Sequence, residues 1–427
     1  GTTGTPKGVV LTHGNFTALL AALAPIFPLG EGDRVLSVLP LHHTFEFTCG
    51  MLLPLSRGAS VVYLDELTGE KVVSALKNAR VTAMVGVPAL WQLLERRIWE
   101  QVRARGSSAE AAFDLALALN RTLGRKLGAN VGRVLFGSVH SRLGGRLKYL
   151  ISGGAALPRD TAELFQGLGL PLAEGYGLTE ASPVLTVAPA SISAKPGDVG
   201  KPIPNVEIVI ANPDAAGVGE VLARGPNVMV GYADDPETTA RTLDADGWLH
   251  TGDLGRIDRH GRLTLVGRSK DVVVSANGEN VYPDDVERAL GAIEGVKELV
   301  VVGVDDPRGG ERVALLAVPD TEGLEGEERL RARDKAMRAV RTKLKELPPA
   351  WQPAVVLPYE AELPRTATKK VKRAGVRPIV ERLLVASAAP PRPAPGARAT
   401  SAVRAAVASL TRRDPDTLTA ETRLRAD

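Results

Sequence analysis

Short runs of consecutive apolar residues alternate with amphipathic stretches through the first part of the chain. Residues 35–40, 59–64 and 81–87 are apolar enough to be buried strands, and 146–152 reads as a strand ending in paired glycines. Between them, residues 16–23, residues 70–78 and the stretch opening at Pro88 carry apolar positions at helical spacing. Asn15 reads as the N-cap of the first of these helices. Strands and helices alternating at short intervals predict an α/β class with a layered, largely parallel sheet as its core. Residues 91–145 are rich in Ala, Leu and Arg at helical spacing and predict amphipathic helices with solvated basic faces.

From residue 183 to 265 the pattern changes. Apolar runs shorten (206–210, 219–223, 263–266) and turns separate them, which predicts a small β-barrel or meander appended to the core. Residues 284–290 then read as a helix, 296–304 as a strand and 329–347 as a basic amphipathic helix, a smaller α+β C-terminal domain. Residues 390–396 are a proline-rich, semi-rigid linker, and 402–410 a short helix.

A chain of 427 residues is too long for one ordinary core, so more than one domain is expected. The net charge of +4 is too small to argue for a nucleic-acid or membrane partner. No apolar run reaches the length of a membrane span, since residues 18–29 are broken by Pro25 and Pro28. Peripheral membrane contact stays open. The single cysteine, Cys49, cannot form an internal disulfide; it fits a reducing, cytoplasmic compartment and reads as a small packed residue.

The chemistry gathers in loops that follow strands. Gly1-Thr2-Thr3-Gly4-Thr5-Pro6-Lys7-Gly8 offers exposed amides, hydroxyls and an ammonium in a loop with little side-chain bulk. Such a loop forms an anion-binding concavity, although it lacks the spacing of a Walker A motif. Gly153-Gly154-Ala155 follows a strand and lets a flat ligand approach the backbone. Glu174-Gly175-Tyr176-Gly177-Leu178-Thr179-Glu180 sets an aromatic platform, a hydroxyl and a carboxylate at one strand end. Tyr176 could stack on adenine, Thr179 hydrogen-bond a phosphate and Glu180 hold magnesium through oxygen. Asp253, after a Thr251-Gly252 turn, is placed either to accept two ribose hydroxyls or to form an Asx-turn. His42 and His43 stand beside Phe45 and Phe47 just past a strand and could be packing residues.

These segments together resemble the adenylate-forming superfamily, which includes acyl-CoA synthetases, peptide-synthetase adenylation domains and luciferases. Leu363-Pro364-Arg365-Thr366-Ala367-Thr368-Lys369-Lys370 adds the family's late motif, with Lys369 in place of its usual glycine. The resemblance implies that Thr2, Thr3, Gly4, Thr5 and Lys7 hold the ATP phosphates. It implies that Gly153, Gly154, Ala155, Tyr176 and Gly177 line the adenine pocket, that Thr179 meets phosphate, and that Asp253 and Arg268 bind ribose or phosphate. Glu180, with Thr2, would hold Mg²⁺. Lys370 would be the catalytic lysine, His43 would border the substrate carboxylate, Phe47 and Val87 would shape the acyl pocket, and Lys270 would be the hinge.

The domains implied are 1–269 (an α/β core at 1–182, a β-rich subdomain at 183–269), 270–376 with the catalytic lysine, a linker at 377–400, and 401–427. Residues 416–424 resemble the opening of an acyl-carrier domain. The chain opens inside the phosphate-loop pattern, and the expectation is a fragment, inactive by itself. The activity implied is ATP-dependent activation of a long-chain fatty acid to acyl-adenylate, followed by transfer to CoA. One alternative is loading of a fused acyl carrier through its phosphopantetheine, and another is a nucleotide-binding remnant without turnover.

Overall fold

The structure is a computed structural model that describes residues 7–188, 190–191, 197–274, 280–307, 310–365 and 371–387. Thr2, Thr3, Gly4, Thr5, Lys369, Lys370, the proline-rich linker and the carrier-like segment lie outside the described residues. The chain divides into two units, 1–380 and 381–427, and of the second only the helix end at 381–387 is described.

The chain begins with β1 (Val9–Val10), α1 (His13–Leu23), β2 (Arg34–Ser37), α2 (Leu53–Ser56), β3 (Ser60–Tyr63), α3 (Gly69–Asn78) and β4 (Ala83–Gly86). Four helices follow, α4 (Pro88–Arg103), α5 (Ser107–Leu127), α6 (Gly132–Leu135) and α7 (Gly137–Arg142). Next come β5 (Tyr149–Ser152), α8 (Arg159–Gly167), β6 (Leu172–Tyr176), β7 (Thr186–Ala188) and β8 (Lys201–Pro202). Seven strands form one sheet in the order β3-β2-β4-β5-β6-β7-β8, parallel from β3 to β6 and antiparallel thereafter.

Alternate residues of these strands feed two separate clusters. Val35, Ala83, Ile151 and Ala173 pack with Leu19 and Leu23 of α1, while Leu36, Met84, Leu150 and Leu172 pack with Leu76, Trp91 and Phe165 of α3, α4 and α8. Strand side chains alternate between faces, and here both faces are covered, which is why the strands read as unbroken apolar runs. The first helix starts earlier than the sequence suggests. Thr12 is its N-cap, and Asn15 lies one turn in, where its Oδ1 accepts from the Thr12 amide at 2.8 Å in a reciprocal capping box. The Asn15 amide donates to the carbonyls of Pro226 and Val228, both at 2.8 Å, and ties α1 to the β-rich part.

That part holds β9 (Glu207–Ala211), β10 (Gly219–Arg224), β11 (Gly231–Tyr232), α9 (Pro236–Thr242), β12 (Leu249–Ile257) and β13 (Leu263–Arg268). Its strands make an open antiparallel sheet in the order β13-β12-β10-β9; among the described residues the expected barrel is absent, and the meander is found instead. Four strands are few for closure. Closure is also unnecessary, because Val221, Ala223, Leu249 and Leu263 bury the inner face against the α1 cluster.

The remaining elements are β14 (Val273–Val274), β15 (Asn280–Val281), α10 (Pro283–Leu290), β16 (Val296–Asp305), β17 (Glu311–Pro319), α11 (Gly326–Leu344), β18 (Val355–Pro358) and α12 (Arg373–Ser387). They build a three-stranded sheet, β16-β17-β18, around a cluster that includes Val281, Val286, Val301, Leu315 and Val340. No helix among the described residues is long and apolar enough to cross a membrane.

Candidate functional site

Parallel strands leave a crevice outside their carboxyl ends. Here two cavities meet in it. The first, about 630 Å³, lies beyond β2, β4 and β5 and is lined by Pro40, His43, Phe45, Val87, Leu90 and Leu93 among others. The second, about 410 Å³, is more polar and is lined by Ala155, Glu174, Asp253 and Arg268, with Arg365 and Arg373 from the C-terminal part. Val87, Gly154, Tyr176 and Gly177 belong to both walls. Gly153 lines the first cavity, where a Cβ would stand 2.7 Å from the Phe45 ring. Gly154 has φ +80°, a conformation that favours glycine.

Asp253 is the charged centre of the second cavity. Thr251-Gly252-Asp253 is the interior of β12 rather than a turn. Glu220 of β10 faces Leu254, yet Leu222 faces His250, so β12 carries extra residues in a bulge, with Gly252 at φ +67°. The bulge is held by Thr251 Oγ1, which donates to Val221 O at 2.7 Å and accepts from the Asp253 amide at 3.1 Å. Asp253 is buried; its Oδ2 accepts from Tyr176 Oη at 2.8 Å and its Oδ1 meets Arg268 Nε at 2.9 Å. Arg268 is its cross-strand partner on β13. Burial and the neighbouring Asp253 charge raise the Tyr176 phenol well above its ordinary range, so it stays a donor.

A second polar group gathers around Glu180, which follows β6 in a short 3₁₀ turn. Tyr232 Oη donates to Glu180 Oε1 at 2.7 Å. Pairing of β1 with β11 sets Val9 opposite Tyr232 and brings Lys7 Nζ to 4.8 Å from the centre of the Tyr232 ring. Magnesium is commonly held by one or two carboxylates together with water and phosphate oxygens. A single half-buried carboxylate beside a phosphate-loop lysine fits that donor set, and among the described residues no three His, Cys, Asp or Glu side chains cluster as metal ligands. Thr2, the other metal candidate, is outside the described residues.

His43 lines the first cavity with its Nε2 buried and without a hydrogen-bond partner among the described residues. Burial, then the adjacent His42, lowers its pKa, so the ring is neutral near pH 7. Thr179 lines the same cavity and is solvent-exposed. Phe47 does not line it. Its ring packs edge-on against Phe16 of α1 at 5.5 Å, and the phenylalanine in the wall is Phe45. Phe47 lies in the π-helical stretch Glu46–Leu52, which Phe45 precedes as its N-cap residue. Cys49 in this stretch has its thiol pushed up to about 12 by burial, then by Glu46, which disfavours the reactive thiolate.

Lys270 sits in the short 3₁₀ helix Ser269–Asp271 between β13 and β14. The segment that carries Lys370 is anchored at both feet. Arg365 bridges Val371, and the Lys372 amide donates to Pro364 O at 2.7 Å. Arg365 and Val371 both line the second cavity. Arg373, two residues past Val371, pairs with Glu287 at 2.6 Å, with Asp284, and with Asp271, next to Lys270, at 3.8 Å.

Three contributors escape the sequence reading. Tyr232 meets Glu180, a partner 52 positions away in the sequence. Glu174 opens the Tyr176 motif, lines the second cavity, and burial raises its carboxyl to about 7. Glu46 is fully buried; its Oε1 accepts from the Val38 amide at 3.2 Å and holds the strand end that walls the first cavity.

Burial raises Glu46 to about 7 from 4.5. The folded state therefore binds its proton more tightly than the unfolded state, and stability falls as pH rises from about 4.5 to 7. The full effect is on the order of 3 kcal/mol. Glu46→Gln removes a charge that must otherwise form in a buried place. The melting temperature of the variant minus that of the unmodified chain should be several degrees more positive at pH 8.5 than at pH 5. An equal difference at both pH values would refute the assignment.

This arrangement can be compared with known proteins. The AMP-binding enzyme family matches residues 1–233, and the AMP-binding enzyme C-terminal domain matches residues 285–370. Feruloyl-CoA synthase of Amycolatopsis sp is 32% identical over 384 residues, covering 88% of this chain and 68% of that protein. A long-chain-fatty-acid–CoA ligase of Bacillus subtilis (strain 168) is 31% identical over 389 residues, covering 87% of this chain and 59% of its own. The solved structure of o-succinylbenzoate CoA synthetase from Bacillus subtilis, in complex with its acyl-adenylate intermediate, superposes with a TM-score of 0.68 at 25% identity and covers 88% of this chain and 67% of that one. The chain belongs to the AMP-binding, adenylate-forming enzyme family.

Proposed function

We propose that this chain carries the reaction centre of an AMP-forming acid–thiol ligase. The observation that supports it most is the Tyr176–Asp253–Arg268 contact in the polar cavity, which shares a wall with an apolar cavity bordered by His43. In this reading the substrate carboxylate oxygen attacks the α-phosphorus of ATP, and pyrophosphate leaves. A thiol sulfur then attacks the acyl carbon and AMP leaves. Two anions must meet in the first step, so catalysis is chiefly positioning and charge neutralisation. Asp253 accepts the ribose hydroxyls with Arg268 beside it. The Gly153-Gly154-Ala155 turn and Tyr176 flank the adenine. Lys7 and the preceding threonines hold the terminal phosphates. Glu180 would hold magnesium, which supplies positive charge against the triphosphate. Lys370 neutralises charge between carboxylate and α-phosphate. We place the hinge at Lys270, a boundary supported by a C-terminal hydrophobic cluster that contains no residue before Val273.

The acid we infer is a long-chain fatty acid and the acceptor CoA, in a reducing cytoplasmic setting that the single cysteine supports. The apolar walls and the volume of about 630 Å³ suit an extended hydrocarbon, and the similarity to a long-chain ligase supports the same reading. A fused carrier's phosphopantetheine is the alternative acceptor, supported by the pattern of residues 416–424 alone. The test is pyrophosphate release and thioester formation with palmitate, butyrate and ferulate, each with ATP and CoA, comparing the full-length protein that carries this chain with its Leu93→Trp variant, which narrows the apolar cavity. Palmitate kcat/KM should exceed that for ferulate, and the variant should lose palmitate activity at least tenfold while keeping butyrate activity. Equal loss on palmitate and butyrate, or preference for ferulate, would sink the long-chain assignment. Absence of pyrophosphate release with every acid would sink the ligase reading.

A further inference from the structure

We propose that a third cavity, an open cleft among α3, α4, α5 and α7, is a second ligand site that takes a single-chain amphipathic anion: an acyl chain with a negative head, as a free carboxylate or as its CoA thioester. This cavity measures about 620 Å³, close to the 630 Å³ of the apolar cavity described above, and the two share no lining residue. It shares none with the polar cavity either, so the proposal does not depend on the activity assigned there.

The floor is a rigid apolar surface. Leu94, Phe136 and Leu143 are buried, and Phe113 stacks edge-on between Trp99 at 5.3 Å and Phe136 at 5.2 Å. The room above it comes from Ala109, Ala112 and Ala116, which share one face of α5. A cleft of this size with apolar walls has the dimensions of a ligand pocket.

The lining decides the charge of the occupant. Four cationic side chains line it, Lys77, Arg97, Arg105 and Arg142, and no Asp or Glu does. Arg142 is engaged by a neutral amide, that of Gln101, and no ion pair with a described residue is made by Lys77 or Arg105. Arg97 alone has a carboxylate, Glu100 at 3.2 Å, in an exposed pair of the kind that contributes little. Uncompensated cations over an apolar floor complement a molecule with an anionic head and a hydrocarbon body. The apolar depth argues against a nucleic-acid backbone, which would use the cations and leave the floor unfilled.

The test is photolabelling of the 427-residue chain with an ω-diazirine palmitate below its micelle concentration, with labelled peptides located by mass spectrometry. Label is expected within residues 94–143, removed by excess unlabelled palmitate. Arg105→Glu with Arg142→Glu should reduce that label at least fivefold and leave label at Leu90 and at residues 38–45 unchanged. Ala112→Phe, which fills the cavity without altering charge, should reduce it equally, and circular dichroism checks that each variant is folded. Competition by palmitoyl-CoA identifies the source: displacement at tenfold lower concentration than palmitate assigns the thioester, and equal displacement assigns the carboxylate. Label confined to the cavity beyond β2, or label in residues 94–143 that survives both charge reversal and cavity filling, would overturn the site. So would charge-dependent co-sedimentation with phosphatidylglycerol vesicles without palmitate label there, which would make the cations a membrane contact.

Discussion

Replacing Lys370 by alanine should lower acyl-adenylate formation about 100- to 1,000-fold, the usual loss when one charge-stabilising group is removed from a dry reaction centre. Thioester formation from supplied acyl-adenylate should be nearly unchanged. The asymmetry follows from how the lysine is carried. It lies in sequence between Arg365 and Val371, which pair with each other and line the polar cavity, and Arg373 pairs with Asp271, next to Lys270, where we propose the hinge. A hinged domain presents different faces to one centre, so a group needed in one orientation is dispensable in the other. Lys369→Ala should do much less. Pyrophosphate release and thioester formation, measured separately for each variant, check this. Equal loss in both half-reactions after Lys370→Ala, or a worse Lys369→Ala, would show the motif to be misaligned.

Asp253→Ala should lower kcat/KM for ATP by about 100- to 1,000-fold with the fold intact, since each charge-assisted hydrogen bond contributes about 1.5–3 kcal/mol. The carboxylate already holds Tyr176 at 2.8 Å and Arg268 at 2.9 Å, so it is oriented before ligand arrives. Asp253→Asn keeps the shape and loses the charge; it should fall between the two. Steady-state kinetics in ATP, with circular dichroism as the control for folding, decides it. An unchanged KM and kcat in Asp253→Ala would remove the residue from the site.

The strands and most helices were legible in the chain because their signals are local. A run such as residues 81–87 is apolar on both faces and can only be buried, and the structure keeps Ala83–Gly86 of it as β4. Element ends were less legible, because they depend on which group reaches back to the backbone. Asn15 and Thr12 both satisfy a cap's chemistry, and their reciprocal hydrogen bonds make Thr12 the cap. The Phe45 and Phe47 exchange has the same character: both are aromatic, and only the winding of the backbone decides which ring reaches the cavity.

What the sequence alone determined is the family, the order of the elements, and the residue types along and just past the strands: glycines after β5, Tyr176 ending β6 with Glu180 beyond it, Asp253 in β12 before Arg268 in β13. Each is encoded within a few neighbouring residues. What only the tertiary structure decided is which of these groups touch. Tyr176 meets Asp253 across 77 positions, through a bulge in β12 that no local composition announces. Tyr232 meets Glu180 across 52 positions, beside a backbone bond in which the Met229 amide donates to Glu180 O at 2.8 Å, and the open sheet needs no closure because its inner face joins the α1 cluster. The cavity among α3, α4, α5 and α7 was read from the sequence as solvated basic faces, since periodicity reports which face of one helix is apolar and not the gap left where several helices meet.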